Sequence, residues 1–297
     1  MFRKRLYISK VIGRLAAGLL LLGITSYAAL SIYKAISYTS IPPQPPLTET
    51  PTKLGLSYEE VNFVTAADDR LKLQGWWIPN PSSGRVLILV HGRNGNRASF
   101  GQIFRPLWER GFSLLVFDLR GHGQSDPAYC TWGLKEQGDL GGAVNFVKGK
   151  GLQAGAIGVI GWSIGAATAL MAMSQYPDIK AVVSDSAYAN AEPLLAHNLL
   201  YPGLVLALRF VRDIDIDQIS PEKAIAHLGQ RHVFLIQGEQ DRQIPTEQFY
   251  RLQKAGRASV TSSWLVAGAD HVQALSQQPD EYLRRVATFF DQELAST

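Results

Sequence analysis

The sequence predicts an α/β protein, with a doubly wound, mostly parallel sheet covered by helices on both faces. Two observations predict it. Five uninterrupted apolar runs, at 86–90, 114–117, 157–160, 181–183 and 233–236, have the pattern of strands buried on both faces, as a parallel sheet under helices requires. Helical stretches fall between them, at about 98–110, 134–149, 164–176 and 246–256, with a last one at 279–294, so strand and helix alternate along the chain.

The elements follow in order. Residues 1–14 form a basic tail, and residues 15–34 contain 19 uncharged residues between Arg14 and Lys34. As a helix this stretch would be roughly 28 Å long, close to a bilayer's hydrocarbon core. Five positive charges precede it and only Lys34 follows closely, which predicts a cytoplasmic N-terminus and a main domain on the other side. The alternative is a secreted protein, cleaved after the small-x-small motif Ser26-Tyr27-Ala28. Residues 35–55 are a proline-rich linker; the run Ile41-Pro42-Pro43-Gln44-Pro45-Pro46 cannot be helical and is expected to act as a semi-rigid spacer, up to roughly 60 Å if extended. The main domain is placed at 56–297. It begins with two strands, 61–65 and 71–78, expected to form an antiparallel hairpin. Residues 187–219, before a helix at 220–228, are rich in Leu, Val and Phe. They are expected to form a short helical lid, either lining a hydrophobic pocket or merely covering the core.

Composition narrows the function classes. Six of the 29 basic residues lie in the first 34 positions with no acid among them; the remaining 23 face 25 acids. The folded part therefore has no basic surplus, and nucleic acid is not an expected partner. Cys130 is the only cysteine, and no histidine pair has H-x-x-x-H spacing, so neither an intrachain disulfide nor a metal site is expected. No cofactor is implied. Oligomeric state is left open.

Ligands of such sheets bind beyond the carboxyl ends of the strands, and five strand-end loops carry polar, glycine-bearing sequence. They begin at His91-Gly92-Arg93-Asn94-Gly95, at Asp118, at Gly161-Trp162-Ser163-Ile164-Gly165, at Gly238 through Asp241 to Pro245, and at Gly268-Ala269-Asp270-His271. The third has the strand–turn–helix context of a nucleophile elbow, which exposes a serine hydroxyl at a helix N-terminus. A serine needs a base, and a neutral histidine oriented by a carboxylate serves. Ser163, Asp241 and His271 are the candidates, with Asp185 as a rival acid and Asp118, Asp139 and Asp270 as structural residues. An oxyanion needs two backbone donors, expected from Ile164 and Arg93.

On these motifs the chain resembles the α/β-hydrolase superfamily over about residues 57–295. Within it, the chain resembles the membrane-anchored Bem46-like group and the serine-aminopeptidase/monoacylglycerol-lipase-like group. The resemblance implies a serine hydrolase with the α/β-hydrolase fold, acting on a small-molecule or lipid-like acyl substrate, most simply a carboxylic ester. It implies that His91 and Gly92 brace the oxyanion loop. Thioesterase or aminopeptidase activity on the same machinery, and a non-catalytic binding protein, are the alternatives. Arg93 departs from the small or amide residue common in relatives. Its side chain would either touch the substrate pocket or point to solvent. His122 is expected to be structural, and His197, His227 and His232 to be ordinary histidines.

Overall fold

The computed structural model describes residues 2–82, 84–151, 157–195 and 199–294; His197 lies outside them. The chain divides into two compact units, one of Met1–Thr39 with Glu192–Ile216, the other of Ser40–Ala191 with Asp217–Thr297.

The larger unit holds one eight-stranded sheet. Its strands are β1 (Glu59–Val64), β2 (Lys72–Ile78), β3 (Val86–Val90), β4 (Ser113–Phe117), β5 (Ile157–Trp162), β6 (Ile179–Asp185), β7 (His232–Gly238) and β8 (Val260–Val266), in the order β1-β2-β4-β3-β5-β6-β7-β8. The first two pair antiparallel, β2 also runs antiparallel to β4, and the pairings from β4 to β8 are parallel. Strands β3, β4 and β5 are buried at every position, as their uninterrupted apolar sequence demands. In chain order the helices are α1 (Phe2–Thr39), α2 (Gly101–Glu109), α3 (Glu136–Gly149), α4 (Ile164–Gln175), α5 (Glu192–Leu195), α6 (Tyr201–Arg212), α7 (Pro221–Ile225), α8 (Thr246–Ala255), α9 (Ala274–Gln277) and α10 (Pro279–Glu293). One buried layer joins Leu87, Leu89 and Val116 of the sheet to Phe104 of α2 and Phe290 of α10.

Several expectations are corrected. Helix α1 continues five residues past Lys34, to Thr39, because nothing between 35 and 39 breaks a helix and the first proline comes at Pro42. The linker is no free spacer. Asn96 Nδ2 donates to Pro45 O at 2.6 Å, Arg105 donates to Leu54 O, and Pro51 is buried in a short 3₁₀ turn, Pro51–Leu54. A segment poor in donors still offers carbonyl oxygens, and here other side chains supply the donors. The apolar insertion is narrower than 187–219: Tyr188 and Ala189 are buried within the larger unit, and the separate segment is Glu192–Ile216. Helix α7 ends at Ile225 rather than 228.

Candidate active site

Two glycines allow the elbow to form. A methyl group on Gly165 would overlap the Val90 carbonyl oxygen and lie 2.6 Å from that of His91; one on Gly161 would lie 2.6 Å from Ala166 N. Side chains at either position would drive β5, α4 and the end of β3 apart. Between them Ser163 sits at φ 55°, ψ −119°, a region that L residues rarely occupy and that must be held by its surroundings. Those surroundings include the Ser163 N–H bond to Asp185 O at 2.8 Å and the Ser163 carbonyl, which accepts from Ala166 N and Ala167 N.

The serine hydroxyl lies 2.8 Å from His271 Nε2, and His271 Nδ1 lies 2.8 Å from Asp241 Oδ2. The Asp241 side chain is fully buried and that of His271 nearly so. Asp241 accepts three further bonds, from Gln237 Nε2 at 2.8 Å, Gln243 N at 2.9 Å and Ile244 N at 2.8 Å. A carboxylate ringed by donors remains an acceptor, so the His271 proton is on Nδ1 and the Nε2 lone pair faces the hydroxyl. The structure thus brings together Ser163, His271 and Asp241 from the ends of β5, β8 and β7, at distances that permit proton transfer.

The loop after β3 reaches the same place. A methyl on Gly92 would stand 3.4 Å from Ser163 Cβ. The Gly92 carbonyl accepts from Gly95 N at 3.0 Å and faces His91 Nδ1 at 2.7 Å. In a trans peptide the N–H points opposite to the C=O, so this anchoring turns the Arg93 N–H the other way. Ile164 opens α4, so its N–H lies in the first turn, where backbone donors outnumber intrahelical acceptors. His91 donates through Nδ1, and its Nε2 accepts Leu119 N–H at 3.0 Å. Complete burial, with the neighbouring His122 ring next in importance, holds its pKa down to about 3, so it is a neutral brace.

The Arg93 guanidinium donates to the Ser40 carbonyl and lies 5.5 Å from the centroid of the Trp132 ring. The Arg93 carbonyl is held by His122 Nε2 at 2.9 Å.

The His271 Nδ1 partner is Asp241, and the rival acid bonds elsewhere. Asp185 Oδ1 accepts from Ser186 Oγ at 2.9 Å, and Ser186 Oγ accepts Val272 N–H at 3.1 Å. Burial raises the Asp185 pKa to about 7. Asp118 accepts from the buried Arg97, both through its backbone N–H at 2.7 Å and through its guanidinium. Asp139 binds Arg120 at 2.7 Å. Asp270 Oδ1 accepts the N–H groups of His271 at 2.8 Å and Arg242 at 3.0 Å. His232 pairs with Glu293 at 2.5 Å, and His227 Nδ1 meets Lys223 O at 2.8 Å. Sequence reasoning missed Gln237, Ser186, Trp132 and Ser40. Gln237 and Ser186 could have been found, since each is a polar residue at the carboxyl end of a sheet strand. Trp132 and Ser40 carry no such mark. Among the described residues no cluster of three His, Cys, Asp or Glu side chains could hold a metal ion.

A parallel sheet of this order, with a serine at the sharp turn after β5, is the α/β-hydrolase fold, and the chain is similar to proteins of the α/β-hydrolase superfamily. A family model described as alpha/beta hydrolase fold matches residues 85–204. Among particular proteins, the chain is 29% identical over 245 residues to the uncharacterized protein YfhR of Escherichia coli O157:H7, covering 78% of this chain and 80% of that one. It is 29% identical over 92 residues to an uncharacterized membrane protein of Saccharomyces cerevisiae, about a third of each. The esterase Pf2001 of Pyrococcus furiosus superposes with a TM-score of 0.72 at 27% identity, over 86% of this chain and 99% of that one. A puromycin-hydrolyzing peptidase of Mycobacterium tuberculosis shares the fold, at 18% identity and a TM-score of 0.64 over 80% of this chain and 40% of that one. The fold is one shared by hydrolases.

Proposed function

We propose that the protein is a serine hydrolase that cleaves a carboxylic ester, with a hydrophobic or lipid-like acyl group, through an acyl-enzyme. The observation that carries this reading is the run of two 2.8 Å contacts from Ser163 Oγ through His271 to Asp241. Ser163 Oγ attacks the carbonyl carbon while His271 Nε2 takes its proton. Asp241 holds the ring in the reactive tautomer and stabilises the imidazolium. The N–H groups of Arg93 and Ile164 bind the oxyanion; losing one such donor typically costs about 3 kcal/mol. His271 returns the proton to the leaving alcohol, water enters, and the same base activates it to release the acid.

The apolar insertion supports a hydrophobic substrate, as does α1, an apolar N-terminal helix long enough to cross a membrane. In this reading α1 is a retained anchor with a cytoplasmic N-terminus, followed by the linker and a hydrolase domain on the far side. The test is a chain-length series of p-nitrophenyl esters run beside aminoacyl anilides and thioesters, with Ser163→Ala as the blank. Ester turnover that rises with acyl length and vanishes in the blank is expected. Preferential cleavage of the anilides would establish an aminopeptidase instead, and no Ser163-dependent turnover of any of them a binding protein.

A further inference from the structure

We propose that α6 lies within the bilayer alongside α1, so that α6 is a membrane-embedded helix whose partner is the lipid leaflet itself. The inference rests on the reading of α1 as an anchor.

Helices α1 and α6 pack against each other. At the crossing, a methyl on Gly203 would overlap Ser31 Oγ and come within 2.6 Å of the Tyr27 ring. Such backbone-to-side-chain closeness is how small residues join helices in lipid, where no hydrophobic force drives them together. The crossing falls inside the apolar stretch. Tyr27 precedes Tyr33, the last residue of that stretch, by six positions, about 9 Å along a helix axis. When α1 spans a bilayer, the first turn of α6 is therefore carried into the hydrocarbon region.

The first turn of α6 is built for that depth. Lipid offers no water to backbone donors, so each must be satisfied internally. Pro202 has no N–H, Gly203 N–H donates to Tyr27 Oη at 3.2 Å, and Leu204 N–H donates to Leu200 O at 2.7 Å. The hydroxyls of α1 are turned inward in the same way, Ser31 to Tyr27 O at 2.8 Å and Thr25 to Leu21 O at 3.0 Å.

The outward face completes the match. Leu204, Ala207 and Leu208 are buried, but Leu206, Phe210 and Leu199 are 56%, 80% and 95% exposed. They extend the exposed leucines of α1, such as Leu19, Leu22 and Leu30. Exposed apolar surface of this kind marks an interaction site. Helix α6 contains no acid, and its only charges, Arg209 and Arg212, lie in the last turn. That is the arrangement of an uncharged half in acyl chains and a cationic end among lipid phosphates.

Single-cysteine labelling tests this in the full chain. Cys130 is fully buried, so an engineered cysteine takes the label. The fluorophore NBD would be placed at Leu206→Cys and Phe210→Cys, with Leu22→Cys reporting the anchor and Lys254→Cys on α8 reporting water. Each protein would be reconstituted in phosphatidylcholine/phosphatidylglycerol vesicles with or without acyl-chain nitroxide lipid. The expected result is blue-shifted emission at 22, 206 and 210 that the nitroxide lipid quenches, and neither effect at 254. Quenching at 22 with water-like emission at 206 and 210 overturns the inference and leaves the anchor standing. Absence of quenching at 22 removes the anchor and the inference with it. Blue-shifted emission at 210 that the lipid cannot quench assigns the face to a protein partner and also overturns the inference. A second variant, Gly203→Leu, should keep turnover of a soluble short ester while losing lipid quenching at 210.

Discussion

Replacing Asp241 by asparagine separates orientation from mere presence of a polar group. Each Asp241 oxygen faces donors: Oδ1 meets the N–H groups of Gln243 and Ile244, and Oδ2 meets His271 Nδ1 and Gln237 Nε2. An asparagine amide nitrogen must therefore face two donors on one side or the other. Two backbone N–H groups cannot turn away, so the carbonyl oxygen stays with Gln243 and Ile244 and the NH₂ group faces His271. The imidazole then has to accept at Nδ1, carries its proton on Nε2, and presents a donor to Ser163 in place of a base. Gln237 cannot relieve the conflict by flipping, because its Nε2 also donates to Ile244 O at 2.9 Å. The same tautomer error in a well-studied triad lowers kcat about 10⁴-fold, close to 5.5 kcal/mol of transition-state stabilisation. The assay is kcat and KM on a p-nitrophenyl ester for Asp241→Asn and Asp185→Asn side by side, after a thermal melt shows both folded. A loss below about tenfold at Asp241, or a larger loss at Asp185, would refute the assignment, since tenfold is only 1.4 kcal/mol.

Further outcomes follow from the same contacts. Arg93→Ala should retain kcat within about tenfold because the oxyanion role needs only the backbone N–H; a loss of 10²–10³ in steady-state kinetics would give the side chain a direct part. Gly165→Ala should lower the melting temperature by roughly 2–4 °C for each of the 1–3 kcal/mol that overpacking typically costs, measured by circular dichroism. Asp185, held by burial at about 7, binds its proton in the folded chain where the unfolded chain, near 3.8, has lost it. Stability should accordingly fall as pH rises from about 4 through 7. Asp139, raised by burial to about 6, adds to the same trend. Asp185→Asn should flatten the melting temperature against pH over that window, and an unchanged slope would contradict the burial argument. Burial raises the Cys130 pKa above the ordinary thiol range, so maleimide should label it only after denaturation.

Much of the larger unit was legible because its chemistry is local in sequence. The all-apolar runs marked β3, β4 and β5, and glycines at fixed offsets marked the elbow where backbone passes backbone at Gly161 and Gly165. The loop ends that converge on Ser163 were visible as polar residues directly after those runs. What stayed hidden depends on distant partners. Nothing near Ser40 or Pro45 announces that their carbonyls bind Arg93 and Asn96, so the linker looked like a spacer. The Arg93 side chain was likewise unreadable, since its resting place on Trp132 is set by a loop some forty positions away in the chain. The edges of the insertion were blurred because apolar sequence looks alike whether it is buried in the larger unit, as Tyr188 and Ala189 are, or belongs to the separate unit.

The central claim is that Ser163 is an activated nucleophile, and covalent capture tests it most directly. The purified full chain, in detergent, would be treated with a fluorophosphonate and examined by intact mass and peptide mapping. One adduct on Ser163 is predicted, absent in Ser163→Ala and strongly slowed in His271→Ala. An unmodified wild-type chain, or equal labelling of Ser163→Ala, would contradict the account.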